Sequence, residues 1–369
     1  MTAGFRTRGQ PAALARVEAW VAGERTPSSI LVVGPGRTGK TTLALDLAAG
    51  LLCLAGDPAA RPCRACAACR KVEHGNHPDL HRLAPSGPGG QVRIDQARSL
   101  LAELALLPME GRCRVAVVEA AHRLNPDAQN ALLKTLEEPP PEAVIVLCAD
   151  DETLLLDTLR SRCTRLRLGP VDERVSAAML VERGLADAPR AAHIARAAAG
   201  RPGIAVALAA SPDALLVRGR LARTLLDLTK APRQARLAAV SELLGDALVV
   251  ADVVEGPTEV SAARVDGAGE VPARTISPAE RRRAAAALVA AWRQVARDLA
   301  VVAAGGGAGI RDVELLEDYE RAAAGLERGV MAAFMGRLDE MAAAIEGYAN
   351  PELMVDVLLL AWPQGRRAA

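Results

Sequence analysis

Gly34-Pro35-Gly36-Arg37-Thr38-Gly39-Lys40-Thr41 decides the fold, because it satisfies the pattern G-x-x-x-x-G-K-[ST]. A short apolar run at 30–33 precedes it and a helical pattern follows, which is the context this motif requires. Its glycines let backbone N–H groups turn toward a phosphate, and the helix N-terminus adds its dipole. The predicted nucleotide-binding residues are Gly34, Gly36, Gly39, Lys40 and Thr41. An inherited loop that no longer holds nucleotide is the alternative.

Short β-branched runs alternate with helical stretches through residues 1–170, which is typical of a parallel sheet wrapped by helices. The predicted strands are 30–33, 79–83, 114–118, 143–147 and 164–168, and a helix is predicted at 154–160, before the last strand. Asn125 followed by Pro126 indicates an N-cap and first helical position, and Pro139 stops that helix. The fold class predicted for this part is α/β.

Helical periodicity dominates after residue 170, and 369 residues favour two or three domains. We expect an α/β domain at 1–170, a small helical domain at 171–212 and a helical C-terminal domain at 213–369. A Gly- and Pro-containing stretch at 251–276 predicts a loop. Ser277 and Glu280 then have capping-box spacing and open a helix that the glycines from Gly305 end.

Bulk composition excludes several function classes. A net charge of +1 gives no long-range attraction to phosphate backbones, and 2% aromatic residues provide no stacking platform for single-stranded bases. No uninterrupted apolar run reaches the roughly 18 to 20 residues that a membrane span needs, and the N-terminus lacks a signal-peptide core. The sequence predicts a soluble, cytoplasmic protein that does not bind membranes.

Four of the seven cysteines, Cys53, Cys63, Cys66 and Cys69, form the pattern C-x9-C-x2-C-x2-C. Two C-x2-C steps let a tight knuckle present its sulfurs to one ion, so the pattern predicts a closed tetrahedral zinc site with a structural role. Nearby Arg61, Arg64, Arg70 and Lys71 can offset its negative charge. An iron–sulfur cluster or free buried thiols remain alternatives. His74, His77 and His81 are spare ligand candidates, whereas Cys113, Cys148 and Cys163 are expected to be small core residues.

The segment after the strand at 114–118 reads Glu119-Ala120-Ala121-His122. Hydrolysis in this class of site uses one carboxylate for magnesium and another to orient water, and here the second carboxylate is missing. His122 is a conceivable substitute base, but a lone histidine at such a junction is more often a packing residue. We therefore expect little or no intrinsic turnover of nucleotide.

Two further segments, Asn130 to Pro140 and Leu159-Arg160-Ser161-Arg162-Cys163, together with the cysteine knuckle, resemble the clamp-loader branch of the AAA+ ATPases. His77-Pro78-Asp79-Leu80-His81 and Val92 to Gln96 are similar to bacterial clamp-loader subunits, the delta-prime family in particular. The resemblance covers residues 9 to about 210; beyond that it rests on Trp292, Arg297-Asp298 and Asn350 to Leu353.

This resemblance implies an AAA+ P-loop domain, a helical lid and a helical collar that supports oligomerisation. It implies that Arg162 reaches the ATP of a neighbouring subunit in trans, the alternative being a structural ion pair. The implied partners are gamma/tau and delta subunits, with the sliding clamp and primed DNA reached through the assembled complex. Ala120 and Gly203, where gamma/tau subunits carry a carboxylate and a sensing arginine, point away from a self-sufficient gamma/tau-type ATPase, the main alternative. ATP or ADP could bind the intact loop without being consumed.

Overall fold

The structure, a computed structural model, describes residues 4–85, 91–255, 277–326, 329–346 and 349–364. Contacts between Cα atoms divide the chain into two compact units, Met1–Met179 with Gly200–Gly203, and Leu180–Ala199 with Ile204–Ala369. No described helix combines the length and apolar character that crossing a bilayer needs. The division at residues 170 and 212 stays a prediction.

The first unit contains a parallel sheet with the strand order β2-β3-β4-β1-β5. Its strands are β1 Ser29–Val33, β2 Leu80–Leu83, β3 Arg114–Val118, β4 Ala143–Ala149 and β5 Thr164–Arg167. The three central strands β3, β4 and β1 are buried along their whole length, as expected for a sheet covered on both faces. All five predicted strands are therefore confirmed, with ends that differ by no more than two residues.

Helices cover both faces of this sheet. The helices of the first unit are α1 Pro11–Ala22, α2 Lys40–Leu51, α3 Ala67–His74, α4 Ile94–Leu104, α5 Pro126–Glu137, α6 Asp157–Arg160 and the start of α7 Glu173–Glu182. Alternate residues of β1 belong to different clusters: Val32 packs with Leu43 of α2, and Leu31 packs with Leu132 of α5. This two-residue alternation places one apolar layer on each side of the sheet. Asn125 caps α5 through its side chain, as predicted.

One predicted helix of the first unit begins three residues later than expected. We expected a helix at 154–160, but the chain forms a 3-10 turn at Glu152–Leu154 and the short helix α6. Leu155 and Leu156 have non-helical backbone, with ψ of 144° and 139°, so the helix starts only at Asp157. The side chain of Leu155 is buried in the core.

The second unit is helical throughout its described residues, as predicted. Its helices are α8 Ala188–Ala197, α9 Pro202–Ala210, α10 Pro212–Asp227, α11 Arg233–Ala238, α12 Val240–Glu255, α13 Pro278–Ala303, α14 Leu316–Ala323, α15 Val330–Glu346 and α16 Pro351–Ala361. Ser277 and Glu280 form the predicted capping box at the start of α13. The predicted loop at 251–276 is helical up to Glu255, and its remainder lies outside the described residues.

Three aromatic side chains lie together in the core of the second unit. The rings of Trp292, Phe334 and Trp362 lie 4.8–5.6 Å apart, centroid to centroid. Beside them the fully buried guanidinium of Arg236 donates hydrogen bonds to backbone carbonyls, including those of Leu359 and Trp362. These bonds satisfy carbonyls at the C-terminal end of α16, so this helix is fixed to the rest of the unit.

Candidate nucleotide, zinc and arginine sites

The phosphate loop connects the end of β1 to the start of α2. Gly39 immediately precedes the helix with φ +101°, a conformation that side chains other than that of glycine rarely adopt. At Gly34, a Cβ atom would lie 2.2 Å from the carbonyl oxygen of Leu168, so the loop closes against the chain after β5 only with glycine there. The sequence thus builds a loop that ends at a helix N-terminus, where backbone N–H groups and the helix dipole favour an anion.

Lys40 is the first residue of α2, and its side chain is 6% exposed. Its ammonium donates hydrogen bonds to the carbonyl oxygens of Gly34, at 2.7 Å, and Pro35, at 2.8 Å. It also forms an ion pair with Asp150, 2.7 Å from Nζ to Oδ1. Thr41 follows in the first turn and is half-buried. The structure therefore brings the predicted loop residues together and adds a carboxylate that sequence reasoning missed.

Asp150 directly follows β4, and β4 pairs with β1 so that Ala149 lies opposite Val33. Because the carboxyl ends of parallel strands meet at one edge of the sheet, this register places Asp150 beside the loop. The sequence shows only that Asp150 follows an apolar run, and the pairing of β4 with β1 places it beside the loop.

The segment after β3 offers no free carboxylate at Glu119. Arg82 donates two hydrogen bonds to Glu119 Oε1, at 2.9 and 2.6 Å. His122 Nδ1 accepts a hydrogen bond from the backbone N–H of Asp150 at 3.2 Å, and burial holds the pKa of His122 below its usual value. A neutral ring that accepts at Nδ1 carries its proton on Nε2. This contact favours the packing role of His122 over that of a base.

The four cysteines predicted to bind zinc lie together, with their sulfur atoms all within 4.8 Å of one another. Cys53 Sγ and Cys66 Sγ are 4.0 Å apart, far beyond the roughly 2.05 Å of a disulfide bond. Zinc–sulfur bonds of about 2.3 Å in a tetrahedron put neighbouring sulfurs about 3.8 Å apart, so the spacing fits the metal.

Backbone N–H groups point at these sulfurs as they do around thiolates. Cys53 Sγ accepts from Ala55 and Cys63, and Cys66 Sγ accepts from Cys69, each at 3.4 Å. Burial raises the pKa of the Cys66 thiol, but hydrogen bonds from the backbone of Cys69 and Leu54 more than offset this and lower it to about 6. The residues present therefore fit a metal that binds thiolates, and zinc held there would tie the knuckle together.

The basic residues near the cysteines have specific partners. Arg64 pairs with Asp46, and Lys71 with Glu110 at 2.6 Å. These two cations are thus neutralised by carboxylates, and the predicted charge compensation rests more on backbone N–H groups than on side chains. The spare candidates His74, His77 and His81 lie in other hydrogen bonds or ion pairs.

The cysteine knuckle is attached to the helix of the phosphate loop. Asp46 of α2 is 1% exposed and accepts hydrogen bonds from the backbone N–H of Thr7 at 2.8 Å and from its hydroxyl at 2.7 Å, besides its pair with Arg64. Cys69 Sγ lies 3.8 Å from the carbonyl oxygen of Ala49, also on α2. The cysteine knuckle and α2 are therefore in direct contact.

The three dispersed cysteines pack against the apolar clusters of the first unit, as predicted. Burial raises the pKa of Cys113 and Cys163 to about 11 and that of Cys148 to about 12. Their thiols are consequently protonated near neutral pH and are poor nucleophiles.

Arg162 lies in the turn between α6 and β5, with its side chain 33% exposed. Its guanidinium donates to the carbonyl oxygen of Thr158 at 2.7 Å and forms an ion pair with Glu137 at the end of α5. The two segments that carry the family resemblance thus meet in one contact. Neither partner of Arg162 belongs to the phosphate loop of its own chain.

Gly203 borders the phosphate loop within the first unit. Its backbone N–H donates to the carbonyl oxygen of Arg37 at 3.0 Å, and a Cβ atom there would lie 3.1 Å from that oxygen. The position where an arginine could sense nucleotide therefore contacts the loop through the backbone alone.

Comparisons with known proteins cover mainly the first unit. Residues 9–172 match the family described as DNA polymerase III, delta subunit. The chain is 34% identical over 173 residues to DNA polymerase III subunit delta' of Bacillus subtilis (strain 168), covering 47% of this chain and 50% of that one. It is 35% identical over 181 residues to subunit tau of Escherichia coli (strain K12), covering 48% and 28%. The chain thus spans half or less of the length of these relatives.

Among solved structures, a DNA polymerase III gamma subunit-related protein from Thermotoga maritima superposes with a TM-score of 0.50 and 17% identity, over 94% of this chain and 97% of that one. At this identity the likeness concerns the fold, and it extends across both units. Together with the matches to delta-prime and tau, these findings confirm the resemblance drawn from the sequence. Over residues 9–172, the chain is therefore similar to DNA polymerase III subunits, delta' and tau among them.

Proposed function

We propose that the chain acts as a delta-prime-type subunit of a bacterial clamp loader, which supports assembly and lends Arg162 to the ATP site of a neighbouring subunit. The observation that carries this proposal is Ala120 at the end of β3, beside a complete phosphate loop. A methyl group cannot orient a water molecule, so nucleotide in this loop is bound without turnover.

The surroundings of Arg162 support its role in trans. The guanidinium is partly exposed, and its planar fork suits the oxygens of a phosphoryl group. Such an arginine stabilises the charge that develops as the γ-phosphoryl is transferred. The ion pair with Glu137 holds it in one orientation when no neighbour is present.

The remaining parts of the proposal follow the same resemblance. Residues 1–170 form the AAA+ domain with structural zinc on Cys53, Cys63, Cys66 and Cys69, residues 171–212 form the lid, and residues 213–369 form the collar. The partners are gamma/tau and delta subunits in the cytoplasm, and contact with the sliding clamp and primed DNA is made through the assembled complex. ATP or ADP is the ligand of the loop.

A gamma/tau-type ATPase is the second candidate, and the observation that favours it is the intact loop from Gly34 to Thr41. One experiment distinguishes the two candidate functions. It is a reconstitution with gamma/tau, delta, the sliding clamp, primed DNA and ATP. The proposal predicts that clamp loading needs this chain while the isolated chain hydrolyses no ATP above background. Robust hydrolysis by the isolated chain, abolished by Lys40→Ala, would establish the second candidate instead.

A further inference from the structure

The ammonium of Lys40 has three N–H donors, and three partners within its own chain take them. Two are the carbonyl oxygens of Gly34 and Pro35, and the third is the carboxylate of Asp150. Because the side chain is 6% exposed, water replaces none of these contacts easily. The loop therefore holds its lysine in a closed arrangement in which no donor is left for a phosphate.

The carboxylate of Asp150 also lies close to Gly36 of the loop. A Cβ atom built on Gly36 would lie 2.9 Å from Asp150 Oδ2, so this oxygen approaches the backbone of the loop closely. Asp150 thus spans the distance from Gly36 to Lys40 with one negatively charged group. A nucleotide phosphate in the same loop would bring the same kind of charge to the same two residues.

The contacts of Asp150 fix its backbone but allow its carboxylate to move away from Lys40. Its backbone N–H is fixed by His122 Nδ1 at 3.2 Å, whereas its side chain is 47% exposed. Rotation about the side-chain bonds can therefore move the carboxylate into water while the backbone stays in place. The neighbouring carboxylates have other partners. Glu119 accepts a hydrogen bond from Arg82, and Asp151 accepts one from the backbone N–H of Thr153 and so caps that turn.

We propose that Asp150 is an affinity-determining residue of the phosphate loop, whose carboxylate takes the place of a nucleotide phosphate and must leave Lys40 before a nucleoside di- or triphosphate binds. The inference rests on the proposed binding of nucleotide by this loop. A site that is open for only part of the time binds with an affinity reduced by that fraction. If Lys40 is paired for about nine-tenths of the time, removing the carboxylate strengthens binding about tenfold.

The test is the affinity of the full, zinc-loaded chain for magnesium-ADP, measured by titration calorimetry. Asp150→Asn keeps the shape of the side chain and removes its charge, and Asp150→Ala removes both. Asp151→Asn is the matched control, because it makes the same charge change one residue away and an amide oxygen still caps the turn. Thermal unfolding and zinc content show whether each variant is folded.

The expected result is binding about tenfold tighter in both Asp150 variants, within about twofold of wild type in Asp151→Asn, and lost when Lys40→Ala is added to Asp150→Asn. Detectable binding in Asp150→Asn alone would support the inference equally. It is overturned by equal gains in Asp150→Asn and Asp151→Asn, by weaker binding in the Asp150 variants, or by no binding in any variant at millimolar nucleotide. The last outcome leaves the role of Arg162 in trans intact, whereas a reconstituted complex that loads clamps without this chain removes that role and leaves the affinity result standing.

Discussion

Lys40 and Arg162 are the two cations on which the proposed function depends. Their side chains differ in exposure and in the partners that surround them. The side chain of Lys40 is 6% exposed, with three partners around the phosphate loop. The side chain of Arg162 is 33% exposed and lies in the turn that follows α6. Its partners are Thr158 and Glu137. One cation is enclosed by its own chain, and the other lies where a second chain can approach.

Under the proposed function, this difference assigns a different phosphate to each cation. A buried lysine beneath a helix N-terminus serves a ligand that enters the loop of the same chain. A partly exposed arginine has a long side chain and a charge that burial does not remove, so it can reach a phosphate that another chain binds. The predictions below change one region and leave the other untouched.

The largest effect is expected from Arg162→Ala. We expect the chemical step at the neighbouring ATP site to slow by about 10³ to 10⁵, since an arginine supplied in trans is worth that much in phosphoryl transfer. The fold should persist because the side chain is partly exposed. The measurement is ATP-dependent loading of the sliding clamp by the reconstituted complex, with gel filtration to confirm that the variant assembles. A complex that fails to assemble would mean that Arg162 is a structural residue.

Cys66→Ser tests the region of the phosphate loop, because the cysteine knuckle contacts α2, the helix that follows this loop. We expect purified wild-type protein to carry about one zinc per chain and the variant to lose it, with a cost of about 3 kcal/mol in the local stability of α2 and α3. Metal analysis and hydrogen exchange measure both results, and exchange around Arg162 serves as the internal control. An iron chromophore, or no metal in protein from reducing buffer without chelator, would contradict the zinc assignment.

Glu137→Ala tests whether the ion pair holds Arg162 in a useful orientation. We expect the rate at the neighbouring site to fall about tenfold with an unchanged KM for ATP, because a misplaced group loses rate rather than binding. Glu138→Ala removes the same charge from the next residue and is the control. Glu137→Gln, which keeps a hydrogen-bond acceptor, should recover part of the rate. An equal loss of rate in Glu138→Ala would show that the loss comes from the change in net charge and not from the ion pair of Glu137 with Arg162.

Lys40→Ala is expected to have the smallest effect on the complex. The isolated chain should hydrolyse ATP at background level with or without this lysine, because Ala120 cannot orient water. Clamp loading should change by less than about twofold if nucleotide in this loop is not consumed. Steady-state hydrolysis by the isolated chain and loading by the complex are the two measurements. A large loss of loading in Lys40→Ala would assign an active role to the loop.

Local signals allowed much of the first unit to be predicted. The strand at 114–118 agrees at both ends with β3, because charged residues bound a run of valine and alanine. The cysteine spacing predicted the sulfur cluster, since two C-x2-C steps leave the chain little freedom. These features depend on neighbouring residues alone.

Contacts between distant residues account for what was missed. Asp150 meets Lys40 across 110 positions of sequence, through a strand register that no local pattern encodes. The helix expected at 154–160 starts only at Asp157, because the backbone of Leu155 and Leu156 is not helical where Leu155 packs into the core. Likewise, the pair of Glu137 with Arg162 joins two predicted segments whose contact only the fold reveals.

The most direct test of the central claim is single-turnover ATP hydrolysis at the adjacent gamma/tau site, in a reconstituted complex whose other ATP sites are disabled. Arg162→Ala and Lys40→Ala are compared there, with incorporation of each variant verified. We expect Arg162→Ala to slow this turnover by about 10³ or more and Lys40→Ala to leave it within about twofold of wild type. An unchanged rate with Arg162→Ala in the complex would contradict the claim that this chain gives its arginine to a neighbour.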